Sequence, residues 1–213
     1  LAPENPLPVA SAFKGPLLMY FLDTVDPAIW RRVPVRYWNA LSADAVPFKW
    51  REDWQQHRAV LRNLYQMLVS SDNVATGAIL SYVARTQDST DPLVLFNYLA
   101  HDRVGVSQLS ALSAWNQGID AGMSPVDARF LERGTTINGQ ILQFENMMTP
   151  RDIGLFYTWM LTNLSWSGLQ VCRELLSTIR DNRGANLERL AQELGGTPYS
   201  KNGSLITDAG TII

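Results

Sequence analysis

The stretch VASAFKGPLL, residues 9–18, decides how the rest of the chain is read. Ser11 and Lys14 stand one helical turn apart in it, among residues that are otherwise small or apolar. Positions three apart share a helix face, so the hydroxyl and the amine come within reach of each other. A serine hydroxyl is a poor nucleophile until a base takes its proton. A lysine can be that base when burial or a neighbouring cation lowers its affinity for protons. Phe13, Leu17, Tyr20 and Phe21 continue the helical spacing, and Pro16 falls in the first turns, where a missing amide costs least. A mostly buried helix is therefore expected from Ser11 onward.

Composition narrows the setting for this helix. At 213 residues, with 46% hydrophobic and 18% charged content, the chain can fill one sizeable core or two lobes that share an interface. A net charge of -2 and the absence of any long run of like charges argue against a nucleic-acid or anionic-lipid partner. Cys172 is the single cysteine and His57 and His101 the only histidines, which leaves no internal disulfide and little basis for a metal site. No metal or organic cofactor is expected. No apolar run approaches the roughly 18 residues of a membrane span, and these residues do not open with a basic start followed by a hydrophobic stretch.

Outward from the opening helix, the three prolines of residues 1–10 predict an irregular lead-in, and Pro27, Pro34 and Pro47 predict short turns and loops over residues 24–50. From Glu52, residues Trp54, His57, Leu61, Leu64 and Leu68 mark one face of a helix to about Ser70, with Arg58, Arg62 and Asn63 off that face. SSDN interrupts it, and Asp72 or Asn73 caps a second, nearly all-apolar helix, NVATGAILSYVAR. Helices are expected at about 92–101, 106–121 and 124–132, then a loop over 133–148. Thr149, Pro150 and Asp152 start another helix as a capping-box variant, followed by helices at 166–181 and 185–194 and strand-like residues from Thr197 onward.

Two further short motifs stand out. Ser71, Asp72 and Asn73 occupy the junction between two helices, where short polar side chains commonly cap. Lys201, Asn202 and Gly203 fall in a strand-like stretch, and the glycine removes a side chain that would keep a ligand or another backbone away. The chain has only three lysines, and two of them lie in these motifs. In order the motifs read S-x-x-K, S-D-N, K-x-G, and in this the chain resembles the class A β-lactamases and penicillin-binding serine hydrolases. The separation of 60 residues between Ser11 and Ser71, and of about fifty between Thr149-Pro150 and Lys201, is similar to theirs.

The resemblance implies a site. Ser11 would attack a carbonyl and form an acyl-enzyme, Lys14 would help take its proton, and Ser71 would relay a proton to the leaving nitrogen. Asn73 would hold Lys14 or the substrate, and Lys201 would draw in the substrate's carboxylate beside Gly203. The amides of Ser11 and Ser204 would form the oxyanion hole. Asp72 reads as a structural cap. The substrate would be a β-lactam or a peptidoglycan-like peptide, and the setting periplasmic or secreted. Alternatives on the same site are a D-Ala-D-Ala peptidase or esterase, or an idle member that binds a peptidoglycan fragment or a protein.

The implied architecture is α/β (α+β), one β-lactamase/transpeptidase-like domain over residues 1–213. A helical lobe would span about 24–148, an antiparallel sheet lobe would combine 1–23 with 149–213, and the site would lie between them. With only ten residues flanking each end, an excerpt of a longer chain is expected. One departure concerns water activation: no E-x-x-L-N motif precedes Thr149, and Glu132, or failing it Glu145, is the nearest candidate for the carboxylate that frees the acyl-enzyme.

Overall fold

A computed structural model describes residues 3–89, 91–108, 110–112, 134–137, 140–143, 146–177, 192–196, 201, 205–207 and 210–212. Seven α-helices carry the described core. A 3₁₀ turn, Ala10–Phe13, runs directly into α1, Lys14–Thr24. Helix α1 is buried from Lys14 to Leu22, and Phe13, Leu17, Leu18, Met19 and Phe21 have no exposed surface at all. A helix apolar on every side has to run through the middle of its neighbours. It packs against α4, Asn73–Thr86, α6, Pro150–Asn163, and α7, Trp166–Ser177.

Between α1 and α4 come α2, Pro27–Trp30, and α3, Phe48–Tyr65, joined by short 3₁₀ turns as the prolines require. Trp30, Trp38 and Trp54 are buried, and each satisfies its indole N–H on a backbone carbonyl, of Val25, Val33 and Tyr37 respectively. These tryptophans fill core. Helix α3 buries Trp54, Leu61 and Leu64 and exposes Arg58 and Arg62, as its 3.6-residue pattern predicts. It continues as a wider π-type turn, Gln66–Ser70. Helix α5, Pro92–Tyr98, likewise runs into a π-type turn, Leu99–Val104, closed by Gly105 at φ 81.

The sequence expectation of a helical lobe plus an antiparallel sheet lobe is overturned. The described residues are mostly helical, and their extended pairings are too short to form a layer. β1, Leu7–Pro8, and β2, Ala111–Leu112, are linked antiparallel through β5, Asn146–Met148, and β3, Gly134–Ile137, pairs with β4, Gln140–Gln143. Near the end β6, Leu205–Thr207, pairs among the described residues with β7, Gly210–Ile212. The described residues assigned to a sheet lobe are instead largely α1, α6 and α7. Their apolar side chains recur at helical spacing and join one buried cluster with α3, α4 and α5. Over its described residues, 106–108 and 110–112, the helix expected at 106–121 is a loop ending in β2, and the rest of that expected helix lies outside the described residues; the loop expected at 133–148 contains β3, β4 and β5. The helix expected at 124–132 lies outside the described residues.

One polar knot ties this helical core together. Thr149 caps α6 by accepting the Asp152 N–H at 3.0 Å. Asp152 does not reach back to complete the box. Its carboxylate turns to the loop after the second π-type turn, accepting the Ser107 N–H at 3.2 Å and the Ser107 and Ser110 hydroxyls at 2.6 Å each. Ser110 Oγ in turn accepts the Thr149 N–H at 2.8 Å. Burial by itself pushes the Asp152 carboxyl up, but hydrogen bonds from Ser107, Ser110 and Thr149 outweigh it and hold the group below the ordinary carboxylate range.

Stability carried by a carboxylate with a depressed pKa is present above the unfolded value and is lost as pH falls through the folded value. Asp152→Asn should therefore cost about 2–3 kcal/mol at pH 7 in urea unfolding. Its gap from the native chain should close below an ordinary pKa of 3.8. A gap that stays constant from pH 7 to 3 would contradict this role.

Candidate active site

Ser11 and Lys14 sit at the junction where the 3₁₀ turn becomes α1, so both project from one continuous helical run. The backbone amide of Ser11 belongs to the first turn, whose donors have no partner inside the helix. That leaves it suited to an oxyanion. Ser11 is part-buried, and its hydroxyl makes no hydrogen bond among the described residues.

Lys14 is fully buried, and its ammonium group points to the far junction, between α3 and α4. Nζ donates to the Ser71 carbonyl at 2.7 Å and to Asn73 Oδ1 at 2.7 Å, and lies 3.3 Å from Ser71 Oγ. The backbone there is unusual. Ser71 takes φ 55, ψ 32, a left-handed conformation that costs a non-glycine residue roughly 1–3 kcal/mol. The turn is held by Asp72, whose N–H donates to the Gln66 carbonyl at 3.1 Å and whose carboxylate caps α4 at the Ala75 N–H, 2.7 Å away. Left-handed geometry at Ser71 turns both its carbonyl and its side chain toward one amine.

Lys201 completes the cluster. It is only 7% exposed, and its Cβ lies beside Gly15, 3.6 Å from where a Gly15 side chain would begin. Burial is the largest influence on Lys14; the Lys201 cation adds to it, and the Asp72 carboxylate opposes both. Together they lower the Lys14 pKa from 10.5 to about 7. A neutral amine has two N–H donors for its two short acceptors and a lone pair left for a hydroxyl. Lys14 is then poised as a base at neutral pH.

The structure thus gathers Lys14, Ser71, Asn73 and Lys201, with Ser11 one turn ahead of Lys14. Glu132, Glu145, Gly203 and Ser204 lie outside the described residues. Among the described residues, no three His, Cys, Asp or Glu side chains come together as a metal site. Likewise, no described helix is long and apolar enough to cross a membrane.

Sequence reasoning missed Tyr157 of α6. Its phenol oxygen hydrogen-bonds the Lys201 backbone amide and lies 3.1 Å from where a Gly15 Cβ would stand. Tyr157 follows the buried Phe156 on an amphipathic helix, and no local signal marks its hydroxyl.

The buried amine has a thermodynamic signature. Below pH 7 the folded and unfolded chains both hold the Lys14 proton, and the fold bears the full cost of burying it. Between pH 7 and 10.5 only the unfolded chain keeps the proton, so stability contributed through Lys14 rises with pH. Relative to Lys14→Met, the native chain should gain about 1.4 kcal/mol per pH unit between pH 7.5 and 9 in urea unfolding. Parallel curves would mean that Lys14 titrates normally. No protein-family model, curated protein or solved structure matches the chain, so the site is read from its own geometry.

Proposed function

We propose that the protein is a serine hydrolase that forms an acyl-enzyme through Ser11, acting on amide bonds of the β-lactam or D-Ala-D-Ala type. The observation that carries this reading is the buried Lys14 amine, brought to a pKa of about 7 beside Lys201 and within 3.3 Å of the Ser71 hydroxyl. The reading rests on this constellation and on the motif order, since architecture does not determine chemistry.

Neutral Lys14 takes the proton as Ser11 Oγ attacks the substrate carbonyl, and the first-turn amide at Ser11 stabilises the developing oxyanion. Ser71 hands a proton to the leaving nitrogen as the amide bond breaks, drawing on Lys14 to replace it. Lys201 attracts the carboxylate that both substrate types carry. Lysine is the base that this scheme needs, because no histidine is in the cluster; His101 instead faces the Val106 carbonyl at 3.3 Å.

Release of the acyl group is a separate matter. The missing E-x-x-L-N motif favours slow deacylation, hence a penicillin-binding peptidase or esterase over an efficient β-lactamase. Substrates of this kind are met outside the cytoplasm, and the reading carries a periplasmic or secreted setting with it.

Incubation with a fluorescent penicillin tests the proposal. The native chain should become labelled, Ser11→Ala should not, and the labelling rate should fall about tenfold per pH unit below pH 7 as Lys14 protonates. Label that persists identifies a binder or peptidase, and label that decays quickly a β-lactamase. Native protein that neither labels nor turns over an ester would overturn the reading.

A further inference from the structure

Three features define the environment of Lys201. Helix α6 is fixed in the core by Phe156, fully buried, and Met160, 2% exposed. From that anchored helix Tyr157 reaches the start of α1, where its hydroxyl stands 3.1 Å from the position of a Gly15 Cβ. Beside the same position lies Lys201, its Cβ 3.6 Å away and its amide bonded to the phenol oxygen. Any side chain at residue 15 would have to displace the hydroxyl by a few tenths of an ångström. Glycine permits close approach here, one residue after Lys14.

We propose that Tyr157 is a positioning residue: its hydroxyl fastens the Lys201 backbone against the first turn of α1, and so sets where the Lys201 cation stands relative to Lys14 and an incoming carboxylate. This deepens the acyl-transfer reading above and rests on it for the role of the substrate carboxylate. Only the hydroxyl is at issue, because a phenylalanine ring would fill the same space in the core. Burial keeps the phenol protonated, with a pKa pushed up to about 12, so Tyr157 stays a neutral post across the working range. Its influence passes through Lys201, whose charge is one of the two causes that lower the proton affinity of Lys14. Loosening Lys201 therefore has two consequences: weaker capture of a carboxylate, and a Lys14 that holds its proton to higher pH.

Tyr157→Phe separates this role from packing. In the variant the KM for a carboxylate-bearing penicillin should rise about fivefold, the worth of one hydrogen bond, while the maximal acylation rate at pH 9 changes little. A neutral ester lacking the carboxylate should keep its KM. With both donors the acid limb of acylation should move to higher pH. Lysine carrying ¹³C at Cε gives a readout independent of activity, since the chain has three lysines and the Lys14 resonance is assigned by its loss in Lys14→Met. In Tyr157→Phe that resonance should titrate at higher pH. Gly15→Ala, whose methyl would press on the hydroxyl, should cause a shift of the same sign, and that shift should be reduced in the Tyr157→Phe background. If Tyr157→Phe lowers thermal stability but leaves the Lys14 titration and the KM unchanged, the hydroxyl only packs and the proposal is wrong. If native protein never acylates yet the titration shifts as stated, the positioning role stands and the acyl-transfer reading fails.

Discussion

A buried ammonium group is the constraint around which this molecule is arranged. Taking Lys14 out of water is unfavourable unless oxygen acceptors replace its hydration, and α1, apolar nearly all round, offers none of its own. The acceptors come from the Ser71 carbonyl and Asn73, 57 and 59 residues away. The α3–α4 junction therefore has to arrive at the start of α1 with its oxygens facing inward. The π-type turn at Gln66–Ser70 and the left-handed Ser71 are how it does so. Wider turns and strained residues are costly in an ordinary helix junction, and they persist where surrounding contacts over-determine them.

A second π-type turn shows the same device used for structure. It delivers Ser107 and Ser110 to Asp152 at the start of α6, and through Thr149 the knot fixes the end of β5 as well. Both junctions bring hydroxyls to a buried charge, but their balance differs. Asp152 collects enough donors to stay ionised. Lys14 has acceptors too, yet burial outweighs them and a second cation nearby adds to it, tipping the amine toward neutrality. The contrast in charge state follows from how far hydrogen bonds and nearby charges offset burial at each group.

Much of the helical framework was legible in the sequence. Trp54, Leu61 and Leu64 announced the buried face of α3, Thr149 its capping role, and Asp72 the start of α4, because each depends on spacing within a few residues. The three short motifs were legible as well, since Ser11, Lys14, Ser71, Asn73 and Lys201 have distinct chemistry at a distinctive spacing. Where reading failed, the cause was non-local. Asp152 looked like a capping-box partner, and only the loop at Ser107–Ser110 shows where its carboxylate goes. Tyr157 looked like one more residue of an amphipathic helix. The sheet lobe was expected from the resemblance, and the strongly periodic apolar residues of α6 and α7 overrule it by joining the helical core.

Acylation and deacylation place different demands on such a site. Forming the acyl-enzyme needs a nucleophile, a base and an oxyanion donor, and on the proposed reading these belong to one turn of α1 and the junction that α1 meets. Breaking it needs a water held against the ester by a second base. Lys14 is poorly suited to that second role, because its two short hydrogen bonds fix it to the Ser71 carbonyl and Asn73, with the Ser71 hydroxyl 3.3 Å away. A carboxylate would have to come from elsewhere in the chain, and the stretch before Thr149 has no glutamate at the spacing that would supply one. On the proposed reading, the site is therefore suited to capture of an acyl group, with its release left to slower routes.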